Sequence, residues 1–312
     1  MPFIIIGSVL LFLLTAVLII SYVCYSMAFK RAKVEYTPLE LVGRSKHDEH
    51  REISERMVSE LDAIPHTELS VKSYDGLTLR ARYYPGFEGE PLEIQCHGYR
   101  SHPVRDFSGG AIESIKRGRH LLLIYQRAHG RSEGRTITFG QKECRDLLIW
   151  TEYMLNRIGT ETDVIYTGIS MGGATVLSAS ALALPENVKA IIADCPCSDA
   201  KSIIKHVIKG MKIPPSLAYP FVRLGAIIFG GFDPNGSDAS HAVKSAKIPI
   251  LLIHGEDDGF VPPEMSKKIY ENIPGKKRIE LFPKARHGTS YLVDTERYMR
   301  TVDEFINEAG VY

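Results

Sequence analysis

The chain has 312 residues, a formal net charge of +1 and 44% hydrophobic residues. That length accommodates one large α/β domain with a sizeable core, and balanced charge without a Lys/Arg block excludes a phosphate-backbone binder, so no nucleic-acid partner is expected. The five cysteines, Cys24, Cys96, Cys144, Cys195 and Cys197, are odd in number and spaced like no disulfide framework, which fits a reducing compartment. Cys195-x-Cys197 is too tightly spaced for a usual thiolate metal site and lacks two further ligands, so no metal is expected.

The first element is apolar. From Met1 to Phe29 there is no charged side chain, and the run FIIIGSVLLFLLTAVLIISYV has the length a bilayer requires, roughly 20 residues. A cleaved signal peptide would have a shorter apolar region and a basic residue before it. Residues 1–29 therefore read as a retained transmembrane anchor. Lys30, Arg31 and Lys33 follow directly, and the positive-inside rule puts that flank, and the domain behind it, on the cytoplasmic face. Residues 30–64 are polar and charge-rich, with the period of an amphipathic helix, as a stalk or packed on the domain.

From residue 65 onward the pattern is that of a mostly parallel sheet with helices on both faces. Leu69–Tyr74 and Leu77–Tyr84 alternate around Asp75-Gly76, a hairpin signal. Apolar runs follow at Leu92–His97, His120–Tyr125, Asp163–Thr167, Val188–Ala193, Ile248–Ile253 and Lys277–Phe282, the composition of strands covered on both faces. Helical periods lie at Lys142–Arg157, Met171–Ala183, Pro263–Asn272 and Tyr291–Glu308. Between Asp194 and Ile248 the connection runs to some fifty residues, too long for an ordinary loop. It holds two helical stretches, Ala200–Lys209 and Leu217–Ile228, and reads as a cap inserted at about 198–246 of a domain spanning 65–312.

The chemistry concentrates at strand ends. Gly168-Ile169-Ser170-Met171-Gly172-Gly173 follows a strand and opens a helix, the context of a nucleophile elbow. The turn is sharp, so small residues must flank the serine, and the helix N-terminus behind it favours negative charge. A serine needs a base. Of eleven histidines, His287, in Ala285-Arg286-His287-Gly288, is the one that follows both the elbow and an acidic loop, in the chain order Ser, acid, His of such sites. The acid that would hold its tautomer lies in Glu256-Asp257-Asp258, with Asp194 as the alternative position. The oxyanion needs two backbone donors. Met171 N–H supplies one and Tyr99 N–H, in the loop after His97-Gly98, the other. Losing such a donor costs roughly 3–4 kcal/mol in the barrier.

These motifs together resemble the α/β-hydrolase superfamily, and within it the bacterial esterase, serine aminopeptidase and monoglyceride-lipase-like branch. The resemblance runs from about Ser70 to Ile306 and rests on His97-Gly98, Gln126-Arg127-Ala128-His129-Gly130-Arg131-Ser132, the elbow, residues 254–262 and His287-Gly288. It implies an eight-stranded α/β-hydrolase sheet with a small helical cap. Its acid-loop pattern H-G-x-x-D-x-x-V-P implies that Asp258 is the acid, and it implies structural roles for Arg127 and His129. Tyr125 departs from the aspartate often found there, which is expected to alter loop hydrogen bonding. Serine at 170 argues against epoxide hydrolases and haloalkane dehalogenases.

The expected function is a serine hydrolase cleaving carboxylic esters, with amides and thioesters as further substrates, through an acyl-enzyme on Ser170 and without metal or organic cofactor. Ile203, Ile204, Ile208, Met211, Leu217, Phe221, Leu224 and Phe229 of the cap are expected to give apolar surface above the site and so an apolar substrate. The rival readings are an acyltransferase using the same acyl-enzyme and a non-catalytic membrane-tethered binding module.

Overall fold

A computed structural model describes residues 2–32, 37–43 and 50–311. Lys33 of the basic flank and residues 34–36 and 44–49 of the polar stretch lie outside them. In chain order the elements are α1 (Pro2–Ala28), α2 (Pro38–Gly43), α3 (Arg51–Ala63), β1 (Thr67–Lys72), β2 (Thr78–Tyr84), β3 (Leu92–Cys96), α4 (Pro103–Lys116), β4 (His120–Tyr125), α5 (Glu143–Ile158), β5 (Val164–Ile169) and α6 (Met171–Ala179). There follow β6 (Val188–Asp194), α7 (Ala200–Gly210), α8 (Pro215–Gly225), α9 (Ala239–Ala242), β7 (Ile250–Gly255), α10 (Glu264–Asn272), β8 (Lys277–Phe282), α11 (Ser290–Val293) and α12 (Thr295–Glu308).

The eight strands form one sheet in the order β1-β2-β4-β3-β5-β6-β7-β8. β2 is antiparallel to both its neighbours and every other pair from β4 onward is parallel, so the expected mostly parallel α/β-hydrolase sheet is found. Period-two alternation divides its side chains between two faces. Leu92, Ile94 and Cys96 of β3 pack with Leu147, Trp150 and Met154 of α5 and Val176 and Leu177 of α6 in the main core. Glu93 and Gln95, on the opposite face, are buried as well. There Thr167 Oγ1 donates to Glu93 at 2.7 Å and Gln95 Nε2 at 2.8 Å.

Several elements differ from expectation, three of them informatively. No helix was anticipated between β3 and β4, yet α4 lies there. Its Gly109-Gly110 lowers helix propensity by about 1 kcal/mol per residue, and packing of Val104, Phe107, Ala111 and Ile112 against α3 and β4 outweighs that. The last helix is broken at Asp294, whose carboxylate caps α12 by accepting the Arg297 N–H at 3.0 Å. α8 begins at Pro215, before the expected Leu217, and continues through a π-helical turn, Ala226–Gly230. Within the polar stretch, α3 lies on the domain, with Val58 and Leu61 buried against α4.

Candidate active site

The elbow is a one-residue joint. β5 ends at Ile169 and α6 begins at Met171, leaving Ser170 alone to turn the chain. Its backbone sits at φ +57°, ψ −116°, a region costing a non-glycine residue on the order of 1–3 kcal/mol. The surroundings hold it there. Ser170 N–H donates to the Asp194 carbonyl at 2.8 Å, and the Ser170 carbonyl accepts from Ala174 N–H at 3.1 Å. α6 runs so close to the end of β3 that a Cβ on Gly172 would lie 1.7 Å from the Cys96 carbonyl oxygen.

Loops after β7 and β8 carry Asp258 and His287 to the same point. His287 Nδ1 donates to Asp258 Oδ2 at 2.7 Å, and His287 Nε2 accepts from Ser170 Oγ at 3.0 Å. With Nδ1–H on the carboxylate, the Nε2 lone pair faces the Ser170 hydroxyl, the arrangement a general base needs. Asp258 is buried, and its Oδ1 accepts the Phe260 and Val261 N–H groups at 2.9 and 2.8 Å. His254 Nε2 stands 3.3 Å from Oδ2. Burial raises the Asp258 carboxyl pKa, but hydrogen bonds from His254 and His287 outweigh it and hold the group well below the usual carboxylate range. Its neighbours Glu256 and Asp257 are exposed. The Phe260 ring packs edge-on against the His287 ring, centroids 5.0 Å apart.

The Tyr99 loop is pinned on both sides. Gly98 N–H donates to Asp106 Oδ2 at 2.7 Å, and Arg100 N–H donates to His129 Nε2 at 3.0 Å. The Tyr99 N–H between them takes no protein acceptor among the described residues. Met171 opens α6, where first-turn N–H groups lack intrahelical partners. Asp106, on α4, was missed because that helix was missed; it also accepts from Ser101 Oγ at 2.6 Å. His129 Nδ1 donates to the Arg127 carbonyl at 2.9 Å, and burial beside His97 pushes its pKa down to about 3. Arg127 is buried between two carboxylates, Nε 2.6 Å from Asp146 Oδ2 and Nη1 2.9 Å from Asp75 Oδ2. The Tyr125 hydroxyl turns away from this loop and accepts from Arg82 Nε of β2 at 3.1 Å.

Cys195 also reaches the site. Its Sγ and ligand atoms of Asp258 and His287 lie within 4.8 Å of one another, a set able to hold a metal by distance alone. Asp258 and His287 already bond each other, and burial pushes the Cys195 thiol far up, which opposes the thiolate a metal needs. Cys197 is not part of the group.

Ser170 and His287 open into a cavity of about 770 Å³ running between the sheet and α4, α11 and α12. Tyr99, Phe260 and Tyr291 line it, together with the buried polar groups Glu93, Gln95, Thr167 and Asp194. None of the eight cap residues expected above the site lines it. Ile203 belongs to the main core, and Ile204 and Ile208 pack against Tyr25 and Phe29 of the N-terminal segment. The expectation of an apolar cap roof is therefore corrected: Ile204 and Ile208 turn toward the N-terminal segment, and Met211, Leu217 and Phe229 are exposed.

Comparison with known proteins agrees with this architecture. An alpha/beta hydrolase fold model matches residues 94–235, and a serine aminopeptidase, S33, model matches residues 231–293. The uncharacterized protein YqkD of Bacillus subtilis is 24% identical over 216 residues, which cover 69% of this chain and 70% of that protein. The thiohydrolase aneE of Aspergillus aculeatus is 27% identical over 277 residues, covering 71% of this chain and 86% of that one. Among solved structures, an esterase from Pyrococcus furiosus superposes with a TM-score of 0.64 at 22% identity, covering 80% of this chain and 93% of its own. Strand order, elbow and both family models point the same way, and the chain is a member of the α/β-hydrolase superfamily.

Proposed function

We propose that the protein is a membrane-anchored serine hydrolase that cleaves carboxylic esters through an acyl-enzyme on Ser170. The observation that carries this reading is the unbroken hydrogen-bonded chain from Asp258 Oδ2 through His287 to Ser170 Oγ. Ser170 Oγ attacks the carbonyl carbon as its proton passes to His287 Nε2. The imidazolium is held by Asp258, and the oxyanion by the N–H groups of Tyr99 and Met171. His287 then protonates the leaving oxygen. Water, deprotonated by His287, attacks the acyl-enzyme and releases the acid and free Ser170. The match to a thiohydrolase supports including thioesters in the substrate panel.

The anchor reading is supported by α1, whose span Phe3–Ala28 is long and apolar enough to cross a membrane. Lys30 and Arg31 after it support a cytoplasmic domain; protease treatment of spheroplasts that digests the domain without lysis would reverse that placement. The catalytic reading is tested by a fluorophosphonate probe on the detergent-solubilised full chain. It should label Ser170 and release it as the modified peptide. Labelling of Ser170→Ala at the wild-type level would defeat the assignment.

A further inference from the structure

The second half of α1 is built into the cap. Ser21, Tyr25 and Phe29, spaced four apart on one helical face, are buried. Tyr25 and Phe29 cluster with Ile204 and Ile208 of α7 and Tyr219 and Val222 of α8. The backbones touch: a Cβ on Gly225 would stand 2.1 Å from the Ser21 carbonyl oxygen. Beyond the helix the chain is stitched to the loop after β4. Ile137 N–H donates to the Phe29 carbonyl at 2.7 Å, Arg31 N–H to the Arg135 carbonyl at 2.9 Å, and Tyr25 and Thr136 hydroxyls share a bond of 2.8 Å. The cap therefore has a fixed pose on the helix.

In that pose one cap face is apolar and bare. Leu217 is 65% and Ile228 48% exposed, and Met211, Ile213, Ile227 and Phe229 on the same stretch of chain are exposed as well. Six large apolar side chains left exposed on one short segment point to a contact site. The Phe229 ring stands edge-on to Tyr22, centroids 5.1 Å apart, so the patch runs on into the exposed Ile19, Ile20 and Val23 of α1. Lys209 and Lys212 flank Met211 and Ile213 and are exposed, as suits anionic headgroups. Arg223, the charge within α8, is matched by Asp233 at 2.7 Å.

We propose that this cap face is a second membrane contact, in which Met211, Ile213, Leu217, Ile227, Ile228 and Phe229 enter the lipid interface beside α1. The proposal rests on reading α1 as a membrane anchor. It sets the height of the cavity mouth, because the Tyr99 hydroxyl donates to the Ala28 carbonyl at 2.9 Å, in the last turn of α1. The candidate oxyanion loop thus lies where the helix leaves the bilayer, and the substrate class that fits is an amphipathic acyl ester resident in the membrane surface.

The test uses the full chain, with Cys24→Ser removing the half-buried cysteine while the other four are buried. Single cysteines at Leu11, Leu217, Ile228 and Phe87 carry an environment-sensitive fluorophore. The protein is reconstituted in vesicles of phosphatidylcholine with a minority of phosphatidylglycerol, with lipids bearing a quencher either near the headgroup or deep in the chain. Phe87 is the water control: it is exposed and precedes β3, at the opposite strand edge from Ser170. Leu11 should be quenched by the deep lipid, Leu217 and Ile228 by the shallow one, and Phe87 by neither. Quenching at Leu11 with none at Leu217 and Ile228 overturns the proposal and leaves the anchor standing. No quenching at Leu11 overturns both. Leu217 and Ile228 labels shielded from water, unquenched by lipid and cross-linkable between chains would show a second copy on this face and also overturn it.

Discussion

The ends of β6 and β7 each present one buried aspartate near His287, and the fold treats the two in opposite ways. Asp258 receives two backbone N–H groups, His287 and His254, and its carboxyl is held low despite burial. Asp194 is just as buried, but its Oδ1 has no bonding partner among the described residues. Burial pushes its pKa up to about 6, against partial relief from His254 and the Tyr298 hydroxyl. Residue type and burial are shared. The difference lies in donors: the turn after β7 doubles back to aim its own N–H groups at the carboxylate, and the strand end of β6 offers none.

That contrast can be broken by substitution. Ser170→Ala or His287→Ala should each lower kcat by about 10⁶-fold, because such residues act as a unit; ester turnover gives the baseline for both aspartates. Asp258→Asn should lower kcat by about 10⁴-fold with the fold intact, since the wrong imidazole tautomer results. Asp194→Asn should leave kcat/KM within a few-fold. If that variant were crippled and Asp258→Asn mild, the two roles would be exchanged.

The contrast also has a pH signature. Because the folded-state pKa of Asp194 lies above its unfolded value, the native state binds the extra proton between about pH 4 and 6. Stability from this group is therefore lost as pH rises through that window. Asp194→Asn should remove the loss and stabilise the protein at neutral pH by at most about 3 kcal/mol, which should appear as a higher Tm in detergent at pH 7 that narrows toward pH 4.

Much of this was legible in the chain. The strands were visible as apolar runs covered on both faces, and the elbow as glycines around a serine between a strand and a helix. Asp258 was not separable from Glu256 and Asp257 by composition; the family resemblance singled it out. The physical reason appears only in three dimensions, in the turn from Asp258 to Val261 that feeds N–H groups to one of the three carboxylates. Asp106 was hidden with α4, whose paired glycines mask a helix that tertiary packing stabilises. The cap was misread for a related reason. The apolar periods of α7 and α8 were real, but periodicity says which residues are apolar and not what they meet, and here α1 meets one part of them and another part is exposed.

The backbone of Ser170, at φ +57°, ties chemistry to a standing cost in stability. Alanine at this position removes the hydroxyl and keeps the strain; glycine removes both. Ser170→Gly should therefore be as inactive as Ser170→Ala yet melt a few degrees higher, a net gain of about 1 kcal/mol once the extra freedom of unfolded glycine is subtracted. The turn by itself therefore favours glycine, and the serine stands there at a cost that the rest of the fold has to offset.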